Sequence, residues 1–97
     1  MGLFSGFKEN EGFSLDIEGN YIGVIVRKII GPRSKREAYF EVIGISSLDK
    51  FCLRYCDGMY LIRDGLEVGV REIRNSSDKV DLHIRTPYRI EKKMFSL

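Results

Sequence analysis

The feature that most constrains this chain is apolar alternation. Apolar side chains recur at every second position in Ile22, Val24 and Val26, in Leu66, Val68 and Val70, and in Val80, Leu82 and Ile84. Residues i, i+2 and i+4 share one face of a strand, so each run predicts a strand with one buried side. No stretch sustains the spacing of an amphipathic helix; helix is limited to a turn around SSLDK, where Ser47 can cap. Between the runs lie turn formers: EGN at 18–20, GPRSK at 31–35, Asp-Gly at 57–58 and 64–65, and NSSD at 75–78. The expected fold is all-β, a small antiparallel barrel or sandwich with little or no helix.

The two halves also resemble each other. Set over one another with a two-residue gap opposite Asn20 and Tyr21, GFSLDIEGNYIGVIVRKI (12–29) and GMYLIRDGLEVGVREI (58–73) match Gly12 with Gly58, Leu15 with Leu61 and Gly19 with Gly65. Ile22, Val24, Val26 and Ile29 then meet Leu66, Val68, Val70 and Ile73. A polar loop and a further alternating strand follow each copy, AYFEVIGI in the first and VDLHIRTP in the second. The chain is therefore read as one domain, 1–97, made of repeat 1 (about 7–47) and repeat 2 (about 51–95) related by a pseudo-twofold axis. Half a chain of this length cannot bury its apolar face alone, so the copies are expected to share one core that includes Leu15 and Leu61.

Composition narrows the function. With 43% hydrophobic and 31% charged residues, 97 residues suit a globular unit with one core. A net charge of +2 allows a local basic patch without coating the protein in positive charge. No apolar run nears the roughly 20 residues that span a bilayer. The start MGLFSGFKENEG lacks the charged-then-apolar order of a signal peptide. A cytoplasmic protein with no membrane partner, monomeric or weakly self-associating, is expected.

Cys52 and Cys56 stand at C-x3-C spacing with His83 as the sole histidine, whereas a structural zinc site needs four ligands. On one strand the two cysteines would sit ~13 Å apart, too far for a disulfide. Both are expected to be reduced and free of metal, with His83 facing solvent and no cofactor. No Gly-rich phosphate loop, acid pair or nucleophile motif is present, so no enzyme is expected. PRSKREAYFEVIGISSLDKF has the order of a PilZ cyclic-dinucleotide motif, but Gly44 stands where its acid belongs and Asp49 where its glycine belongs.

The second copy, LRYCDGMYLIRDGLEVGVREIRNSSDKVDLHIRTPYRI, resembles the carbon-storage regulator (CsrA/RsmA) family of RNA-binding proteins. That family's order is a first strand ending Leu-Thr-Arg, a later Gly, L-x-I-G-D, a V-x-V-x-V strand, a loop, a V-x-I-x-V strand and a proline. Leu53, Gly58, Leu61, Asp64, Val68, Val70, Val80, Leu82, Ile84, Pro87 and Ile90 fall at or near those places. The resemblance implies a homodimer-like interlacing of strands fused into one chain. It also implies binding of GGA-containing single-stranded RNA where the first strand of one unit meets the last strand of the other. The Leu-Thr-Arg edge becomes Leu53, Arg54 and Tyr55 in the second copy, and Phe7, Lys8 and Glu9 in the first. Lys92, Lys93 and Met94 stand near the family's last-strand Val-His-Arg. Between the copies there is room for one strand, KFCLRY, where two fused units need two.

RNA binding calls for cations on phosphates and flat groups under unpaired bases. Leu53, Arg54, Tyr55, Arg85, Tyr88, Arg89, Lys92 and Lys93 are the expected site, with Arg33, Lys35 and Arg36 as a further basic loop. In the first copy Glu9 is expected to repel phosphate. The second function expected is a protein-interaction module or inhibitor that docks on a larger partner through a β edge or an apolar patch. Phe4, Phe7 and Phe95 are candidates for that patch, or for covers over the ends of the barrel.

Overall fold

The computed structural model describes residues 2–32, 35–44, 49–55, 57–74 and 78–95. Alternation becomes nine strands: β1 (Gly2–Phe7), β2 (Glu11–Ile17), β3 (Asn20–Ile30), β4 (Glu37–Ile43), β5 (Asp49–Arg54), β6 (Tyr60–Arg63), β7 (Leu66–Arg74), β8 (Lys79–Arg85) and β9 (Ile90–Met94). They form two antiparallel sheets, one in the order β1-β8-β7-β6 and one in the order β5-β4-β3-β2-β9. No α-helix occurs among the described residues, and Lys35 lies in a 3-10 turn with its N–H on the Pro32 carbonyl; Ser47 and most of SSLDK lie outside them.

Each sheet is built on a three-strand meander, β2-β3-β4 in one and β6-β7-β8 in the other. The strand leading into each meander does not join it. β1, which precedes β2, pairs with β8, and β5, which precedes β6, pairs with β4. Their registers correspond, with Phe7 opposite Val80 and Leu53 opposite Ala38. Both leading strands end in the same kind of turn. The Lys8 N–H donates to the Glu11 carboxylate (2.7 Å) and the Glu11 N–H to the Lys8 carbonyl (3.0 Å). Likewise the Arg54 N–H donates to the Asp57 carboxylate (2.8 Å) and the Asp57 N–H to the Arg54 carbonyl (3.1 Å).

The middle strands share an irregularity too. β3 slips register between Val26 and Lys28, and β7 between Val70 and Glu72, leaving Arg27 and Arg71 as the extra residues. Such a bulge bends a strand and sharpens its twist, which helps a sheet curl over a core. Gly19 and Gly65 both close hairpins at positive φ, +85° and +86°, where a side chain is strained.

Inward side chains of both sheets make one buried cluster that includes Phe13, Leu15, Val24, Val26, Phe40 and Val42 from one sheet and Phe7, Leu66, Val68, Val80, Leu82 and Ile84 from the other. Burial of each such side chain contributes about 1.5–3 kcal/mol.

Leu61 departs from expectation. It is 58% exposed, whereas Leu15 is 4% exposed. Phe13 lies opposite Val24 and Tyr60 opposite Val68, so the structural match of Phe13 is Tyr60, one position away from the sequence alignment. A one-residue slip moves every side chain to the other face of a strand. Tyr60 and Ile62 therefore pack on the core and Leu61 points out.

The sheets meet along two seams. At one, β9 approaches β1: Lys92 Nζ donates to the Ser5 carbonyl (3.0 Å) and contacts that of Gly6 (3.4 Å). At the other, β5 approaches β6, with the Phe51 and Tyr60 rings stacked at 4.1 Å.

Candidate nucleic-acid interface

Apart from Arg85, which ends β8 of the four-stranded sheet, the expected RNA-binding residues fall into two groups at opposite edges of the five-stranded sheet. Leu53, Arg54 and Tyr55 belong to β5 and its end, whereas Lys92 and Lys93 belong to β9. With β4, β3 and β2 between them, and ~4.8 Å per strand step, the two edges stand roughly 19 Å apart along the sheet.

On the β5 side, Leu53 is a core residue, 5% exposed. Its side chain cannot reach a ligand without leaving the cluster, because inward and outward positions alternate along the strand. Arg54 is exposed and lies 3.9 Å from the Asp57 carboxylate, so its charge is partly offset. Tyr55, 64% exposed, offers an open ring.

The β9 side gathers more. Tyr88, Arg89 and Lys93 line a hollow of about 550 Å³ together with Ser14, Asp16, Tyr21 and Glu91. Lys93 Nζ sits 3.3 Å from the Tyr21 hydroxyl, over that ring at 5.5 Å and over Phe95 at 5.7 Å. Tyr88 is half-buried against the core, and Arg89 is exposed. Arg89 makes no ion pair among the described residues, while Arg85 at the end of β8 pairs with Glu67 at 3.5 Å.

Lys92 turns the other way from its neighbour. It stands opposite Phe13, lies 4.8 Å above the Phe7 ring and bonds the β1 carbonyls. Around it, Lys79 approaches Gly6, whose N–H donates to Asp81 (2.8 Å); Asp81 in turn accepts from Arg74 (3.0 Å). β1, which ends at Phe7 just before Lys8 and Glu9 of the first-copy edge, therefore lies beside β9, whereas β5 lies at the far edge of that sheet.

Two further expected residues are placed by the geometry. Glu9 is exposed, with its carboxylate accepting the Ile29 N–H at 3.0 Å beside the β3 bulge. Arg36 is held against Asp78 across the two meanders, and Arg33 lies outside the described residues.

His83 is half-buried on β8 and lines an open hollow with Tyr55, Met59 and Gly69. Cys52 is a free thiol, and Cys56 lies outside the described residues. Burial raises the Cys52 thiol above its ordinary range, and the Glu37 carboxylate 3.5 Å away adds to the shift. The same carboxylate accepts the Tyr39 hydroxyl at 3.0 Å and raises Tyr39 as well. A thiol held protonated is a poor nucleophile and metal ligand. Among the described residues no group of His, Cys, Asp and Glu could hold a metal ion, and none of their helices is long and apolar enough to cross a membrane. Compared with protein-family models, curated proteins and solved structures, the chain gives no match.

Proposed function

We propose that the chain is a single-stranded-RNA-binding regulator, built like a CsrA-type dimer fused into one polypeptide and carrying one complete site. The observation that carries this reading is the reciprocal exchange of leading strands, β1 into the meander of the second half and β5 into that of the first. The matching turns at 8–11 and 54–57 and the matching bulges at Arg27 and Arg71 support a duplicated origin. In such a dimer RNA lies where the first strand of one unit meets the last of the other. Among the described residues only β1 with β9 satisfies that description, since β5 meets β6, the first strand of its own meander, through the Phe51 and Tyr60 rings.

In this reading Arg85, Arg89 and Lys93 contact phosphates, and the Tyr88 and Tyr21 rings take unpaired bases. Lys92 is a positioning residue that fixes β1 beside β9. Arg54 and Tyr55 form a lesser, separate contact.

Fluorescence anisotropy with a GGA-containing single-stranded RNA and a randomised pool, at two salt concentrations, tests the proposal. Affinity should fall with salt, with a logarithmic slope of roughly −0.7 for each phosphate neutralised. Absence of binding at low salt contradicts it.

A further inference from the structure

The two sheets differ by one strand, and the difference exposes a β edge. In the five-stranded sheet the meander is flanked on both sides, by β5 beside β4 and by β9 beside β2. In the other sheet β1 flanks β8, but no strand lies beyond β6 among the described residues. By the correspondence of the meanders, the position beside β6 matches the one that β9 fills. By the same correspondence the strand would come between β4 and β5, where residues 44–48 alone separate Ile43 from Asp49 in sequence.

An exposed sheet edge presents unpaired N–H and C=O groups and is normally defended by charge, proline or cover. The other edges are defended: Lys50 and Arg54 stand on β5, Glu91 and Lys93 on β9, and Lys92 covers β1 carbonyls. β6 instead displays Leu61, 58% exposed, with Arg63 only at its end.

We propose that the free edge of β6 is a docking edge for one extended segment of a protein partner. The segment pairs antiparallel, with an apolar side chain opposite Ile62 and a basic one opposite Tyr60. Its chemistry is taken from β9, where Ile90 stands opposite Leu15 and Lys92 opposite Phe13; Tyr60 holds the register position of Phe13, and Ile62, two residues on, packs on the core as Leu15 does. The basic group would lie over the β5 edge, as Lys92 lies over the β1 carbonyls. Main-chain pairing supplies the affinity and the alternate side chains the selectivity. This edge lies across the molecule from the β1–β9 seam, so the inference stands whether or not the chain binds RNA.

The test uses the full, isotope-labelled chain and a synthetic peptide with the sequence RIEKKMF, that of residues 89–95. Backbone amide shifts and exchange rates are followed as peptide is added up to about 1 mM. Slowed exchange in Tyr60–Arg63 is expected, with at least tenfold weaker binding when the peptide's isoleucine and first lysine are replaced by aspartate and glutamate. Protection confined to Glu11–Ile17, which reports exchange of the peptide for β9, overturns the proposal, and so does an unperturbed β6 at the highest concentration.

Discussion

At the β1–β9 seam, Phe7 meets Phe13 edge-on at 6.4 Å, and Lys92 lies over the Phe7 ring with its ammonium on main-chain carbonyls. At the β5–β6 seam, Phe40, Phe51 and Tyr60 stack nearly parallel, at 4.9 Å and 4.1 Å. Corresponding strands supply the rings in both places, and the difference is whether an added strand covers the edge. Where β9 is present, the seam carries cations beside aromatic rings, the combination that suits a nucleic-acid strand. Where it is missing, rings close the gap against each other, and the proposed docking edge of β6 lies beside them. On the two proposals above, one added strand separates two kinds of recognition surface.

The comparison can be broken most forcibly in the core. Phe7 is fully buried, so Phe7→Ala should destabilise the chain by about 3–5 kcal/mol in urea unfolding. Tyr60→Ala removes a half-buried ring and should cost less, about 1–3 kcal/mol. Equal effects would mean that the two seams are closed to the same degree.

A smaller effect separates the seams by binding. Arg89→Ala should weaken RNA affinity about five- to thirtyfold, equivalent to about 1–2 kcal/mol. Arg54→Ala, already opposed by Asp57, should change it less than about twofold. The reverse order in an anisotropy titration would place the site on β5. Smaller again, Lys92→Met should lower stability by about 0.5–1.5 kcal/mol and speed amide exchange in β1 while leaving β5 unchanged.

The last prediction concerns Cys52 and pH. Its thiol pKa is raised in the folded state, so its contribution to stability is fully present below the unfolded value, near 9.0, and is lost as pH rises through the folded value. Peptide-mapped alkylation should find Cys52 slower than an unfolded-chain cysteine at pH 8, and Glu37→Gln should speed it. Unchanged rates would remove Glu37 from the account.

Much of the fold was legible because alternation survives in β3, β7 and β8, whose apolar positions face a shared core. β1 and β9 were harder. GLFSGF contains two glycines and IEKKM is mostly charged, so neither announces its partner. Pairing is a long-range property, and nothing local in KFCLRY says that it joins the preceding meander and not the following one. The site inherited this difficulty: Arg54 and Lys92 belong to one copy in sequence, but exchange sets them on opposite edges of one sheet. Leu61 failed for a local reason. The β6–β7 hairpin is shorter than the β2–β3 hairpin and slips register between Leu61 and Arg63, so matched letters point to opposite faces.

The central claim is that one seam, and not two, is complete for RNA. Native mass spectrometry of the full chain with a short GGA-containing RNA in several-fold excess, at low salt, counts the sites directly. The account predicts one RNA per chain, reduced by Arg89→Ala and not by Arg54→Ala. Two equivalent RNAs per chain, or none, would contradict it.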